Sequence, residues 1–283
     1  MIERLGVVGA GQMGAGIAQV ALAAGYAVTL TDARPEALEA ARAGIAKGLG
    51  RQVEKGALAP GARDAALGRL ALAPDLAGLA AMDLVVEAAT EAEEVKAAIF
   101  RGLAPHLAAQ AILATNTSSI PITRLAAQSD RPDRFVGLHF MNPVPVMPLV
   151  ELIRGLATSD DTVAEARAVA ERLGKTVVES RDAPGFLVNR LLIPMVNEAA
   201  SLLEQGVGTA EGIDAALRLG ANHPMGPLAL ADLIGLDTVL AIMEVLQRET
   251  GDPKYRPCPL IRRHVEAGWT GRKAGRGFHL YGR

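Results

Sequence analysis

The chain has 283 residues, half of them hydrophobic but only 3% aromatic, so Ala, Leu and Val must build the core, as suits close-packed helices on a Val-rich sheet. A formal charge of −2 without any Lys/Arg block excludes an electrostatic footprint for nucleic acid. A single cysteine, Cys258, excludes an internal disulfide, and every apolar run is interrupted well short of the ~18 residues a membrane helix needs.

The N-terminus, MIERLGVVGAG, passes from a charged pair straight into a strand and shows no secretory signal, so the expected location is the cytoplasm. Residues 4–182 then alternate short β-rich runs with helical stretches. The first run, 4–10, leads into GAGQMG (Gly9 to Gly14), a GxGxxG that opens a helix over 12–24. There Gly9 permits a tight turn, Gly11 lets backbone approach a pyrophosphate, and Gly14 allows close helix–strand packing. Gln12 and Met13 stand at the helix N-terminus, where N–H groups face the anion. A glycine-rich turn without a ligand is the plain alternative, and the preceding apolar strand argues against it. The run 27–32 ends on Asp32, 18 positions after Gly14, where a carboxylate accepts the ribose hydroxyls of NAD and repels a 2′-phosphate. Arg34 close by leaves room for NADP. A helical segment over 35–55 follows and ends at Lys55.

Further runs at 82–89 and 111–118 flank a helical stretch over 91–107. Glu91 and Lys96 sit five apart on that stretch, out of register for an ion pair, and spacing alone reads them as a solvated face. Asn116 and Ser118 close the 111–118 run, where open α/β sheets bind ligands. The runs 134–141 and 148–153 carry His139 and Glu151 among apolar residues, joined by a connection with three prolines. A charge in such a run is expensive unless paired, and neighbouring strands can bring imidazole and carboxylate together. The carboxylate would fix the tautomer and leave the other nitrogen to act as general base. A satisfied core histidine beside an edge glutamate fits the same residues equally well. Asn142 follows the first of these runs directly. A last run at 176–182 completes a mostly parallel sheet covered by helices on both faces.

After Asp182-Ala183-Pro184-Gly185 the pattern changes. Segments 186–206, 209–219 and 227–250 are helical and no strand is evident. A boundary near 183 therefore divides a nucleotide-binding α/β domain, 1–183, from a smaller all-helical one, 184–283. Asn189 lies in GFLVNRLLIP at the start of the second. With Asn116, Ser118 and Asn142 it would surround one cleft between the domains.

Taken together, GAGQMGAGIAQVAL, VVEAATEAEEVK, ATNTSSI, GLHFMNPVPVMPLVE, DAPGFLVNRLL and GWTGRKAGRGF resemble the bacterial L-3-hydroxyacyl-CoA dehydrogenases of the 3-hydroxybutyryl-CoA type, in the same order and over nearly the whole chain. The resemblance implies a Rossmann-type domain followed by a helical domain that forms a homodimer. It implies reversible NAD-dependent oxidation of an (S)-3-hydroxyacyl-CoA to the 3-oxoacyl-CoA, with no metal. The family's catalytic histidine and glutamate fall on His139 and Glu151, and its substrate-positioning serine and asparagine on Ser118 and Asn189. Asn142 matches an active-site asparagine near the nicotinamide and acyl group. Glu91, Lys96 and Asn116 match cofactor contacts, which displaces the solvated-face reading, and Lys273 matches a lysine of the cofactor region.

The chain departs from the family at AKGLGRQVEKG: Gly48 stands where a Ser or Asn receives CoA, although Lys55 remains to meet a phosphate. The rivals are a sibling dehydrogenase acting on 3-hydroxyadipyl-CoA or a free hydroxy or sugar acid, and a non-catalytic NAD-binding protein. The latter has little physical reason to keep a carboxylate in an apolar strand.

Overall fold

The apolar run after Glu3 forms β1 (Arg4–Val8), followed by α1 (Gln12–Ala23), β2 (Ala27–Thr31), α2 (Pro35–Glu54), α3 (Ala62–Leu67) and β3 (Leu70–Ala73). Next come β4 (Leu84–Glu87), α4 (Glu93–Leu103), β5 (Ile112–Thr115), α5 (Ile122–Ala126), β6 (Phe135–Phe140), β7 (Leu149–Arg154), α6 (Asp160–Arg172) and β8 (Thr176–Arg181). The structure is a computed structural model describing residues 2–282. It divides into two units, Met1–Ala183 and Pro184–Arg283.

The first unit holds an eight-stranded sheet ordered β3-β2-β1-β4-β5-β6-β7-β8. β1 to β6 run parallel, β7 is antiparallel to β6, and β8 is parallel to β7. Parallel neighbours need crossovers, and the crossover helices cover the sheet faces. Central strands are therefore buried on both sides, which is why β4 and β6 show no exposed alternation.

The pleat still sorts side chains between the two faces. Val136, Leu138 and Phe140 of β6 and Val150 and Leu152 of β7 enter one apolar cluster with Ile17 of α1 and Ala166 of α6. Gly137 faces the opposite way, where an added Cβ would lie 2.8 Å from Ile122 Cδ1 of α5. By the same parity His139 shares the face of Gly137, and Glu151 that of Ile153.

Several elements differ from the sequence reading. β3 was not expected, because its LALA sequence has no β-branched residue and reads as helix; pairing with β2 at the sheet edge overrides that propensity. The expected strand 111–118 ends at Thr115, since Thr117, Ser118 and Ser119 turn away from the ladder to bond Glu91. The helix expected over 91–107 starts at Glu93, leaving Glu91 in the preceding loop.

The second unit packs α7 (Val188–Glu204), α8 (Ala210–Gly220), α9 (Pro227–Ile234), α10 (Leu236–Thr250) and α11 (Pro259–Glu266) around Ile193, Val196, Leu236, Met243 and Leu246. The single helix expected over 227–250 is broken at Gly235, whose φ of +102° no helix accommodates. Among the described residues no helix is long and apolar enough to cross a membrane.

Candidate active site

Parallel β1, β2, β4, β5 and β6 bring their carboxyl ends to one edge of the sheet, so the polar residues that follow them converge there. At the end of β1, Gly9 has φ +104°, and an added Cβ would stand 2.6 Å from the Ala88 carbonyl oxygen. A Cβ on Gly14 would lie 1.8 Å from the Gly9 oxygen, so α1 can begin against the turn only because Gly14 has no side chain. Around Gly11 nothing lies within 4 Å of that position, which leaves the backbone open to a ligand.

Asp32 reaches across this turn from the end of β2. Its carboxylate accepts the Ala10 N–H at 2.7 Å and the Arg34 N–H at 2.9 Å. Each oxygen of an ionised carboxylate can accept more than one hydrogen bond, so capacity remains for ribose hydroxyls. Gly9, Gly11, Gln12, Met13, Asp32 and Arg34 line a cleft of about 790 Å³. An open glycine turn, a helix N-terminus and a carboxylate at the cleft wall together fit a dinucleotide.

Beyond β4, the Glu91 carboxylate is wrapped by the loop after β5. Its Oε1 accepts the Thr117 hydroxyl at 2.6 Å, the Ser118 N–H at 2.9 Å, and the Ser118 and Ser119 hydroxyls at 3.1 Å each. Lys96 Nζ stands 3.5 Å from its other oxygen. Burial works against charge on Glu91, but Lys96 and these hydrogen bonds outweigh it and hold the carboxyl below the usual glutamate range. Glu91 keeps an exposed side, 38% of its side chain, so the solvated-face reading is corrected at Lys96, which is buried. The five-residue rule applies within a helix, and Glu91 precedes α4 while Lys96 lies in its first turn.

Lys96 is only 1% exposed, and its closest partner is Glu87, with both carboxylate oxygens within 3.0 Å. Glu87 is fully buried and also accepts the Thr115 hydroxyl at 2.7 Å. The sequence reading passed over Glu87, although a glutamate ending the apolar run LVVE is the same kind of signal that drew attention to Glu151.

His139 and Glu151 face each other directly in the antiparallel register of β6 and β7. Nδ1 of His139 lies 2.7 Å from Oε2 of Glu151, with the histidine 7% and the glutamate 0% exposed. An ionised carboxylate only accepts, so the shared proton belongs on Nδ1 and the lone pair on Nε2. One residue further along β6, the Phe140 N–H donates to Asn116 Oδ1 at 2.8 Å, tying the ends of β5 and β6 together.

Asn142 is exposed at the start of the connection from β6 to β7. Lys55 is exposed at the C-cap of α2. A Cβ at Gly48 would fall 2.2 Å from Gln19 Oε1, so the Gln19 amide of α1 occupies the space a Ser or Asn side chain would need. In the second unit Asn189 lies in the first turn of α7, and Lys273 Nζ contacts both oxygens of Asp237, at 2.7 and 2.6 Å. No group of three or more His, Cys, Asp or Glu side chains suited to a metal ion occurs among the described residues.

Two family models match the chain. The 3-hydroxyacyl-CoA dehydrogenase NAD binding domain covers residues 4–183, and the 3-hydroxyacyl-CoA dehydrogenase C-terminal domain covers residues 185–281. The 3-hydroxybutyryl-CoA dehydrogenase of Bradyrhizobium diazoefficiens is 55% identical over 281 residues, spanning 99% of this chain and 96% of that relative. The 3-hydroxybutyryl-CoA dehydrogenase of Mycobacterium tuberculosis is 47% identical over 282 residues, 99% of each chain. The crystal structure of (S)-3-hydroxybutyryl-CoA dehydrogenase from Ralstonia eutropha matches with a TM-score of 0.97 at 48% identity, each chain covered in full.

Proposed function

The chain belongs to the 3-hydroxyacyl-CoA dehydrogenase family of NAD-dependent oxidoreductases, and on that premise we propose that His139 and Glu151 carry the proton chemistry of a reversible oxidation of (S)-3-hydroxybutyryl-CoA to acetoacetyl-CoA. The observation that carries this reading is the 2.7 Å contact between His139 Nδ1 and Glu151 Oε2 within a buried part of the sheet.

NAD, held at the glycine turn and Asp32, would supply the acceptor for the hydride of substrate C3. His139 Nε2 takes the proton of the 3-hydroxyl as that hydride leaves, and returns it in the reverse direction. Glu151 keeps Nδ1–H oriented and stabilises the imidazolium that forms. General acid–base assistance of this kind contributes about 10²–10⁴-fold in rate. Ser118 and Asn189 hold the substrate oxygen, and Asn142 contacts the acyl group beside the nicotinamide.

Gly9, Gly11, Gln12, Met13, Gly14 and Asp32 hold the cofactor, and Glu91 and Asn116 contact it, with buried Lys96 acting through its ion pair with Glu91. Asp32 at the cleft wall supports NAD over NADP despite Arg34. Lys55 meets a CoA phosphate, and Lys273 acts in the cofactor region. The protein works as a cytoplasmic homodimer associating through its second unit, where Leu191 and Leu219 are 75% and 81% exposed.

The test is NADH-dependent reduction of acetoacetyl-CoA, run beside NADPH, longer 3-oxoacyl-CoAs, 3-oxoadipyl-CoA and free 3-oxo acids. The expected result is the highest kcat/KM with acetoacetyl-CoA and NADH. Turnover of a free acid with none on any CoA ester would overturn the reading.

A further inference from the structure

Between His139 and Glu151 the chain runs through NPVPVMP, residues 142–148. Its three prolines have no N–H, so the segment can donate little to hold itself in place. Within the segment, the N–H groups of Val146 and Met147 reach back to the Pro143 oxygen at 3.0 Å each. The rest of its support comes from outside. Val144, 2% exposed, sits where a Cβ on Gly16 of α1 would come within 2.9 Å of it. The Thr176 N–H donates to the Pro148 oxygen at 2.8 Å. Lys175, 8% exposed, donates from Nζ to the Val144 oxygen at 2.5 Å and the Met147 oxygen at 2.8 Å.

Lys175 is an unusual group in this position. A buried ammonium is costly without a counter-ion. Burial pushes its pKa down, and no ion pair to Lys175 occurs among the described residues. Two carbonyls therefore do the work that water or a carboxylate would otherwise do. Both belong to the one segment that separates His139 from Glu151. Val144 is buried between these bonds and Gly16, whereas Asn142 and Val146 remain exposed.

We propose that Lys175 is a positioning residue for the reaction: by bonding Val144 and Met147 it locks the 142–148 connection, and so sets Asn142 and the facing of His139 against Glu151. Lys175 touches none of the reacting atoms. The proposal rests on the His139–Glu151 reading above. It predicts that losing the ammonium slows the hydride and proton steps while the cofactor cleft, built from other strands, stays intact.

The experiment uses the full chain with K175M, an apolar replacement of similar length, and K175R, which restores a cationic donor. Five quantities are measured for each: kcat and KM for acetoacetyl-CoA, NADH affinity and stoichiometry by fluorescence titration, and the deuterium isotope effect on kcat with 4-deuterated NADH. K175M is expected to bind one NADH per chain with affinity within about threefold of wild type, to lose kcat by about 10- to 100-fold as a misplacement of an ångström or so would cause, and to show a larger isotope effect. K175R is expected to recover much of the rate.

The proposal is overturned if K175M keeps kcat within about twofold of wild type, or if its rate falls only in step with the NADH-binding fraction at an unchanged isotope effect, since that marks a merely structural lysine. Should K175M not fold, K175Q is read by the same criteria. Failure of the wild-type protein on acetoacetyl-CoA would instead sink the function itself, so the two outcomes are separable.

Discussion

Glu151 is buried completely and meets one nitrogen of His139 at 2.7 Å, from a strand that runs against its neighbour in a sheet otherwise parallel from β1 to β6. The reversal matters chemically. Antiparallel pairing sets residues 139 and 151 directly opposite each other on one face, where Cβ atoms are about 4.5–5.5 Å apart. His139→Ala is expected to leave NADH binding within about twofold and to lower kcat by about 10²–10⁴-fold. Glu151→Gln, which keeps a hydrogen-bonding partner but removes the charge, should lose less than His139→Ala. Steady-state rates of acetoacetyl-CoA reduction check both, and a His139→Ala rate near wild type would end the assignment.

Ser118 and Asn189 are proposed to hold the substrate oxygen. Ser118→Ala and Asn189→Ala should each lower kcat/KM for acetoacetyl-CoA by about 10- to 100-fold, the loss of one hydrogen bond to a charge-developing group. NADH affinity, measured by fluorescence quenching, should be unchanged for Asn189→Ala. A selective loss of NADH affinity there would reassign the residue to the cofactor.

Asp32 accepts two backbone N–H groups and lines the cleft. Asp32→Ala should weaken NADH binding by about 10- to 100-fold, the worth of hydrogen bonds to a charged acceptor, and should narrow the preference over NADPH because Arg34 remains. Equal NADH affinity in variant and wild type would show that the ribose is held elsewhere.

Lys96 and Glu87 are 1% and 0% exposed, so removing either partner leaves a buried charge. Lys96→Met is expected to cost about 3–5 kcal/mol in urea unfolding, whereas replacing both by apolar residues of similar volume should recover much of that loss. Losses that simply add in the double variant would show the two are not coupled.

Acid stability gives an independent readout of Glu91. Its carboxyl is held below its ordinary value of 4.5 in the folded protein, against burial, by Lys96 and by hydrogen bonds from Thr117, Ser118 and Ser119. The unfolded chain therefore takes up the proton first as pH falls. Glu91 contributes stability that is full above about pH 4.5 and is lost as pH falls through the lower folded-state value. Denaturation of Glu91→Gln should depend less steeply on pH across that window than wild type. Parallel curves for the two would assign the acid sensitivity to other carboxylates.

Much of this molecule is legible in its sequence. The glycine motif, Asp32 and the apolar runs around His139 and Glu151 are local signals, because strand periodicity and the steric need for glycine act over a few neighbouring residues. The strand at 70–73 has a non-local cause. LALA at 70–73 becomes a strand because β2 offers it a hydrogen-bonded edge. The break at Gly235 was present in the sequence, but the apolar pattern continues across it and hid it.

The sequence by itself determined that His139 and Glu151 had to be paired, since an acid and a histidine inside apolar segments cannot stay ionised or polar in isolation. Only the tertiary structure decided the partners. Glu91 meets Lys96 because the helix begins two residues later than periodicity suggested, and Lys96 is shared with Glu87, which the strand end delivers from beneath. Likewise Lys175 serves the segment between His139 and Glu151 although it lies 24 residues beyond Glu151 in the chain. Periodicity acts within an element, whereas burial and hydrogen bonding are satisfied across the fold, so the demand for a partner is written locally and its identity is not.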